Sequence, residues 1–125
     1  MENKKATILI VDDALINIGM LEDILIDLGY DTLTATSAAE ATNILTEKLP
    51  DMVLLDYDMP KMDGCEVIKK IRENEETEGL KVVFLTGISD REHISSVMKF
   101  NPNGYLLKPI NNKTLLSAIE ATLAE

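Results

Sequence analysis

The chain has 125 residues, 46% of them hydrophobic, which suits one compact domain and excludes a disordered chain. Twelve basic residues stand against 22 acidic ones, and the net charge of −10 argues against direct nucleic acid binding. No apolar run approaches the ~18 residues of a membrane span, and Ile8 to Val11 is too short for a signal-peptide core. We therefore expect a cytoplasmic protein without membrane contact, with one domain over residues 1–125 and a core at about 6–124.

Five short apolar runs have the length and the β-branched or aliphatic content of buried strands. In chain order they are Thr7–Val11, Thr32–Thr36, Met52–Leu55, Val82–Leu85 and Tyr105–Leu107. A helical pattern follows each run, with apolar residues spaced three and four apart. The predicted inward-facing residues of the five helices are Ile18, Leu21, Leu25 and Leu28; Ala41, Ile44 and Leu45; Val67, Ile68 and Ile71; Ile94, Val97 and Met98; and Leu115, Leu116, Ile119 and Leu123.

Local signals mark where several of these helices begin and end. Gly29 is expected to end the first helix, because glycine readily adopts the left-handed conformation common at helix C-termini. Ser37 and Glu40 have the spacing of a capping box at the start of the second helix. Asp90 can cap the fourth.

Strand followed by helix, five times over, predicts an α/β fold with a parallel sheet and helices on both faces. The expected architecture is a flavodoxin-like, doubly wound five-stranded sheet of order 2-1-3-4-5. In that order, ligands bind in the crevice outside the carboxyl ends of strands one and three.

Polar residues stand at the predicted carboxyl ends of four strands. Asp12 and Asp13 follow strand one, Asp56 follows strand three, Thr86 follows strand four and Lys108 follows strand five. A single such aspartate is commonly a helix cap or a turn residue. Their joint placement at one edge of the sheet is not explained by periodicity or propensity, and it predicts a functional site.

Carboxylates that converge in a partly buried crevice repel one another, and a bound cation removes the conflict. Oxygen ligands with room for several waters favour Mg²⁺, and Lys61 stands where a calcium-binding EF-hand loop needs glycine. A carboxylate such as Asp56 can attack a phosphoryl group and become an acyl phosphate. The hydroxyl of Thr86 and the ammonium of Lys108 could then bind the phosphoryl oxygens.

These motifs resemble the CheY-like receiver domains of bacterial two-component response regulators, from Ile8 to about Leu123. The resemblance rests on Ile-Leu-Ile-Val-Asp-Asp at 8–13, Leu-Leu-Asp-Tyr-Asp-Met-Pro at 54–60, Met-Asp-Gly at 62–64, Phe-Leu-Thr-Gly at 84–87 and Tyr-Leu-Leu-Lys-Pro-Ile at 105–110. Each motif alone is weak evidence, whereas five in order, each at its expected place, are specific.

The resemblance implies a role for each acid. Asp56 would be the phosphoacceptor. Asp13 and Asp56 would bind Mg²⁺ through their carboxylates, Asp58 would bind it through its backbone carbonyl, and Asp12 would act mainly through a metal-bound water.

The resemblance also implies a conformational switch. Thr86 would bond the phosphoryl group, Lys108 would pair with it, and the bond between Lys108 and Pro109 is a candidate for the cis form. Tyr105 would turn inward as Thr86 moves, and the face formed by the fourth helix, the fifth strand and the fifth helix would change. The bland alternative for Tyr105 is a half-buried strand aromatic.

The implied partners are a histidine kinase or phosphotransfer protein as donor, and a downstream protein or output domain as recipient of the signal. We expect a monomer or a weak dimer, because the fifth helix lacks the Arg- and Glu-rich pattern of receivers that dimerise through it. The chain is expected to signal and not to be an enzyme.

Two alternatives remain open at this point. Asp56-Tyr57-Asp58 resembles the Asp-x-Asp motif of haloacid-dehalogenase-like phosphatases, although that motif normally ends the first strand of a larger domain. The chain could also be the receiver fragment of a larger hybrid kinase or regulator.

Overall fold

The computed structural model describes residues 6–56, 64–87, 95, 98–108 and 110–124. The elements are β1 (Thr7–Val11), α1 (Leu15–Asp27), β2 (Asp31–Ala35), α2 (Ala38–Glu47), β3 (Met52–Asp56), α3 (Gly64–Glu73), β4 (Lys81–Thr86), β5 (Gly104–Leu107) and α4 (Asn112–Leu123). The fifth predicted helix is therefore α4 here. The fourth, with Asp90, Ile94 and Val97, lies mostly outside the described residues.

The five strands form one sheet in the order β2-β1-β3-β4-β5, and every pair is parallel. This confirms the predicted flavodoxin-like order. The register sets Val11 beside Leu55, Asp56 beside Leu85, and Thr86 beside Leu107. Asp12 and Asp56 are therefore at one level along the strands, Thr86 is one residue beyond that level, and Lys108 is two residues beyond it.

Two hydrophobic clusters lie on the two faces of the sheet, because successive strand side chains point to opposite faces. One cluster includes Leu9, Leu55 and Phe84, with buried residues of α2 and α3. The other includes Ile10 and Leu54, with buried residues of α1 and α4. Helices thus cover both faces of the sheet, as the sequence predicts.

The three central strands are almost fully buried, but the edge strands are not. No residue of β5 is buried, and β2 has one buried residue, Ala35. The expectation of five buried strands is therefore wrong for the edges, since an edge strand has a neighbour on one side only. Met98, expected to face inward, has 51% of its surface exposed, so that prediction is also wrong.

Helix ends follow local chemistry. Gly29 has φ 96°, and Tyr30 N–H donates to the Leu25 carbonyl, which ends α1 as predicted. The Ser37 hydroxyl accepts from Glu40 N–H at 3.0 Å and caps α2. The Glu40 carboxylate accepts from Thr36 N–H, one residue before the position of an ideal capping box.

Among the described residues, no helix is both long enough and apolar enough to span a membrane.

Candidate functional site

The predicted site residues meet at the carboxyl edge of the sheet. Asp12 directly follows β1, Asp56 and Thr86 are the last residues of β3 and β4, and Lys108 directly follows β5. Because the strands are parallel and the four residues lie within two residues of one another along the registers, they belong to one crevice. Asp12, Asp56 and Thr86 are buried, with 1%, 2% and 4% of their surfaces exposed.

Three carboxylates converge in this crevice. Asp12, Asp13 and Asp56 each offer one carboxylate oxygen, and these oxygens all lie within 4.8 Å of one another. Carboxylates this close and this shielded from water repel each other strongly, so the arrangement favours a cation between them. Oxygen-only donors suit a hard divalent ion such as Mg²⁺. The donor set therefore fits the predicted metal.

Lys108 adds a positive charge to the same crevice. Its Nζ lies 2.8 Å from Asp56 Oδ1, and 32% of its side chain is exposed. Three carboxylates thus share the crevice with one ammonium, an excess of acidic groups that suits a divalent cation. Lysine's flexible stem also lets its ammonium follow a new anionic partner without leaving the crevice.

Backbone hydrogen bonds hold two of the site residues in place. Asp12 N–H donates to the Ala35 carbonyl at 3.1 Å, and Asp12 Oδ1 accepts from Ala14 N–H at 2.9 Å. Lys108 N–H donates to the Thr86 carbonyl at 2.8 Å, so the residue with the ammonium is tied to the residue with the hydroxyl.

Two residues assigned from the resemblance cannot be placed. Asp58, the predicted carbonyl ligand, and Pro109, which forms the peptide bond expected to be cis, lie outside the described residues.

Tyr105, the predicted switch residue, is 42% exposed on β5, beside Phe84 of β4 in the register. The inward turn of Tyr105 on phosphorylation stays a prediction.

A groove of about 180 Å³ opens beside the carboxylates, and sequence reasoning did not identify it. Its polar lining residues are Asp12, Asn17 and Lys108, and its apolar lining residues include Met20 and Ile110. Leu15 and Ile16 at the start of α1 are 74% and 78% exposed. A sequence signal was available for Ile16, because it does not fit the three-and-four spacing of Ile18, Leu21 and Leu25 that marks the buried stripe of α1.

Comparison with known proteins places this geometry in a family. The model of the response regulator receiver domain matches residues 8–120. A probable chemotaxis protein CheY of Rhizobium etli is 33% identical over 119 residues, which are 94% of this chain and 92% of that protein. A probable transcriptional regulator, ycf27 of Guillardia theta, is 34% identical over 95% of this chain, which spans only 46% of that protein's length.

Solved structures agree. A putative response regulator from Chloroflexus aurantiacus has a TM-score of 0.91 at 32% identity, covering 98% of this chain and all of the other. The receiver domain of a sensor histidine kinase from Pseudomonas aeruginosa has a TM-score of 0.89 at 23% identity, covering 98% of this chain and 100% of the other, and carries a magnesium ion in its active-site cleft. At that identity the second likeness concerns the fold alone.

Proposed function

This chain belongs to the response regulator receiver domain family, and from that premise we propose that Asp56 is the residue that accepts the phosphoryl group. Phosphoacceptor signalling is the function of the family, so the chain is a two-component signalling domain and the phosphatase alternative is not favoured. We take residues 1–125 as one receiver domain. The observation that carries the residue assignment is the buried Asp56 carboxylate with Lys108 Nζ at 2.8 Å.

The proposed transfer uses the residues of the crevice. A carboxylate oxygen of Asp56 forms a bond to phosphorus as the bond between phosphorus and the donor's leaving atom breaks, and that atom keeps the electron pair and takes up a proton. The ammonium of Lys108 then pairs with a phosphoryl oxygen in place of the carboxylate. The Thr86 hydroxyl donates to another phosphoryl oxygen, and this attraction draws Thr86 toward the new group.

We propose that the carboxylates of Asp13 and Asp56 hold Mg²⁺ directly, with the Asp58 carbonyl, and that Asp12 acts through a metal-bound water. The support is the approach of three acidic oxygens to within 4.8 Å of one another. When bound, the ion would neutralise phosphoryl oxygens and help orient them for in-line transfer.

The proposed donor is the phosphohistidine of a histidine kinase or phosphotransfer protein. Such a protein must lie over the crevice to reach Asp56, and it would therefore cover the exposed Leu15, Ile16 and Met20. Apolar side chains beside a charged centre suit a protein donor, because a protein surface can remove them from water. We also propose a cytoplasmic location, where such a donor would meet this chain.

The proposed signal output is the predicted turn of Tyr105, with a changed surface around β5 for a downstream protein or output domain. Its support is the backbone bond between Lys108 and Thr86, which links β5 to the crevice. The exposed Tyr105 and Leu107 leave this edge accessible to a partner, and we propose a monomer or a weak dimer.

One experiment tests the acceptor and the metal together. The protein is incubated with acetyl phosphate, with and without Mg²⁺, and intact mass is measured for the wild type and for Asp56→Asn. We expect one phosphoryl group per chain in the wild type with Mg²⁺, and at least a tenfold lower yield without the ion or with Asp56→Asn. Equal phosphorylation of Asp56→Asn would exclude Asp56.

The same assay separates signalling from turnover and tests the donor surface. Retention of one phosphoryl group supports a receiver, whereas steady hydrolysis of phosphomonoesters would support a haloacid-dehalogenase-like enzyme.

Ile16→Ser should slow phosphoryl transfer from a phosphohistidine protein several-fold and leave the rate of phosphorylation by acetyl phosphate unchanged. If both donors respond alike, α1 is not the donor surface.

A further inference from the structure

Arg72, near the end of α3, lies at the opposite edge of the sheet from the acidic crevice. Its guanidinium donates to four backbone carbonyls and joins two separate segments. Nη1 donates to Glu78 and Leu80, just before β4, at 3.1 and 2.6 Å. Nε and Nη2 donate to Phe100 and Asn101, shortly before β5, at 3.1 Å each. The amino ends of β4 and β5 are therefore held to one side chain.

These four acceptors are neutral. Burial lowers the pKa of Arg72. Arginine nevertheless stays protonated at any physiological pH. A planar guanidinium satisfied by carbonyls from two segments fixes their geometry, because its donors point in set directions.

The backbone conformation of Asn101 shapes the turn whose carbonyls accept from Arg72. Its backbone has φ 58°, and its N–H donates to the Met98 carbonyl at 2.9 Å. Asparagine tolerates this left-handed conformation better than most residues. The turn before β5 therefore has a defined shape that presents two consecutive carbonyls to Arg72.

β5 needs such an anchor more than any central strand. Register is strongly specified where one face of a strand is buried, and β5 has four residues of which none is buried. Its amino end is joined to β4 by the Asn103 side chain and backbone, which bond Val82 at 2.8 and 2.7 Å. Its carboxyl end leads directly to Lys108.

We propose that Arg72 is a positioning residue for phosphoryl transfer, acting through β5 to set the place of Lys108 opposite Asp56. The clamp fixes where β5 starts, and four residues at about 3.3 Å each then determine where it ends. A shift of β5 along β4 would carry Lys108 away from the Asp56 carboxylate. The catalytic role of this inference rests on the proposed function, whereas the anchoring of β5 does not.

Arg72→Lys tests the proposal, because lysine keeps the charge but cannot span two segments with one planar group. Lys69→Gln, at an exposed position on the same helix, is the control. Amide hydrogen exchange is measured on the unphosphorylated proteins. We expect the Asn103 and Lys108 amides to exchange at least tenfold faster in Arg72→Lys, and β3 amides to change less than twofold. An equal factor for all amides would show a general loss of stability and overturn the positioning role.

A second measurement distinguishes an effect on Lys108 from an effect on the proposed metal ligands. Arg72→Lys should slow phosphorylation by acetyl phosphate at least threefold and change the Mg²⁺ dissociation constant less than twofold, because the acids follow β1 and β3. An unchanged rate, or a loss of Mg²⁺ affinity as large as the loss of rate, overturns the proposal. If the wild type forms no phosphoryl adduct, the proposed function fails, and the exchange data still decide whether Arg72 anchors β5.

A measurement on the wild type tests the Arg72 hydrogen bonds directly and does not require Arg72→Lys to fold. The Arg72 Nε–H should give a sharp, slowly exchanging resonance, because it is bonded to the Phe100 carbonyl. Exchange at the rate of a free guanidinium would mean that the clamp does not form, and the proposal would be wrong.

Discussion

Asp12 and Asp56 are ordinary aspartates whose chemistry comes from burial and from one another. With 1% and 2% of their surfaces exposed, they have little water to stabilise their charges. Lys108 balances part of that charge and Asp13 adds to it. At the scale of single residues, the crevice therefore favours a divalent cation, and the free energy of unfolding should rise when one is supplied.

Mg²⁺ should stabilise the folded chain, because the three carboxylates proposed to hold it converge only when the chain is folded. At a concentration 100 times the dissociation constant, the free energy of unfolding should rise by about 2.7 kcal/mol. Asp13→Asn should remove most of this rise. Without the ion, it should increase the free energy of unfolding by roughly 1 kcal/mol, since it removes one of three like charges. Urea unfolding at pH 7, with and without MgCl₂, measures both effects.

Asp27→Asn, at an exposed position on α1, is the matched control. It also removes one negative charge, but outside the crevice, so it should keep the full response to Mg²⁺. If Asp13→Asn keeps it as well, Asp13 is not a ligand.

Elements of this fold are held by different means according to their place. The central strand β3 is buried throughout, whereas β5 has no buried residue and is tied to β4 by further hydrogen bonds just beyond its two ends. Asn111 caps helix α4 at its N-terminus: its Oδ1 accepts from Thr114 N–H at 2.9 Å, while Thr114 Oγ1 accepts from Asn111 N–H. This reciprocal cap orients the helix that directly follows the Lys108 segment.

Asn111→Ala should lower the free energy of unfolding by about 1 kcal/mol, the usual cost of losing an N-cap. Urea unfolding measures it. Asn112→Ala is the matched control at the next position, which is also exposed but does not cap, and it should change stability by less than ~0.5 kcal/mol. Equal losses in the two variants would contradict the capping role.

At the scale of the whole molecule, the two core clusters hold the sheet between its helices. Leu54 belongs to one of them and is fully buried in the central strand β3. Its side chain thus contributes to the core that keeps Asp56, two residues later, at the carboxyl edge. The position of Asp56 at the carboxyl edge therefore depends on the packing of the core around β3.

Leu54→Ala should lower the free energy of unfolding by about 2–5 kcal/mol, because it removes buried methyl groups and leaves a cavity. Leu49→Ala is the control, since Leu49 is 57% exposed, and it should stay within ~0.5 kcal/mol of the wild type. Both values come from urea unfolding. A loss for Leu49→Ala as large as that for Leu54→Ala would mean that exposure does not govern the cost.

Local patterns were sufficient for much of this structure. Alternating strands and helices predicted the strand order, because parallel strands need helical crossovers and helices must cover both faces. Gly29 and Ser37 predicted where helices end and begin, since these effects act within a few residues. The failures were Met98 and the edge strands, because an apolar residue does not reveal how many neighbours cover it.

By itself, the sequence determined the fold class, the sheet order and the edge at which Asp12, Asp13, Asp56, Thr86 and Lys108 would meet. Only the tertiary structure decided the contacts among them: the 2.8 Å pair of Lys108 with Asp56 and the convergence of three acids. It alone placed Arg72 against carbonyls 28 and 29 residues away. The physical reason is that periodicity reports which face of an element is buried, whereas distances between elements depend on how all of them pack.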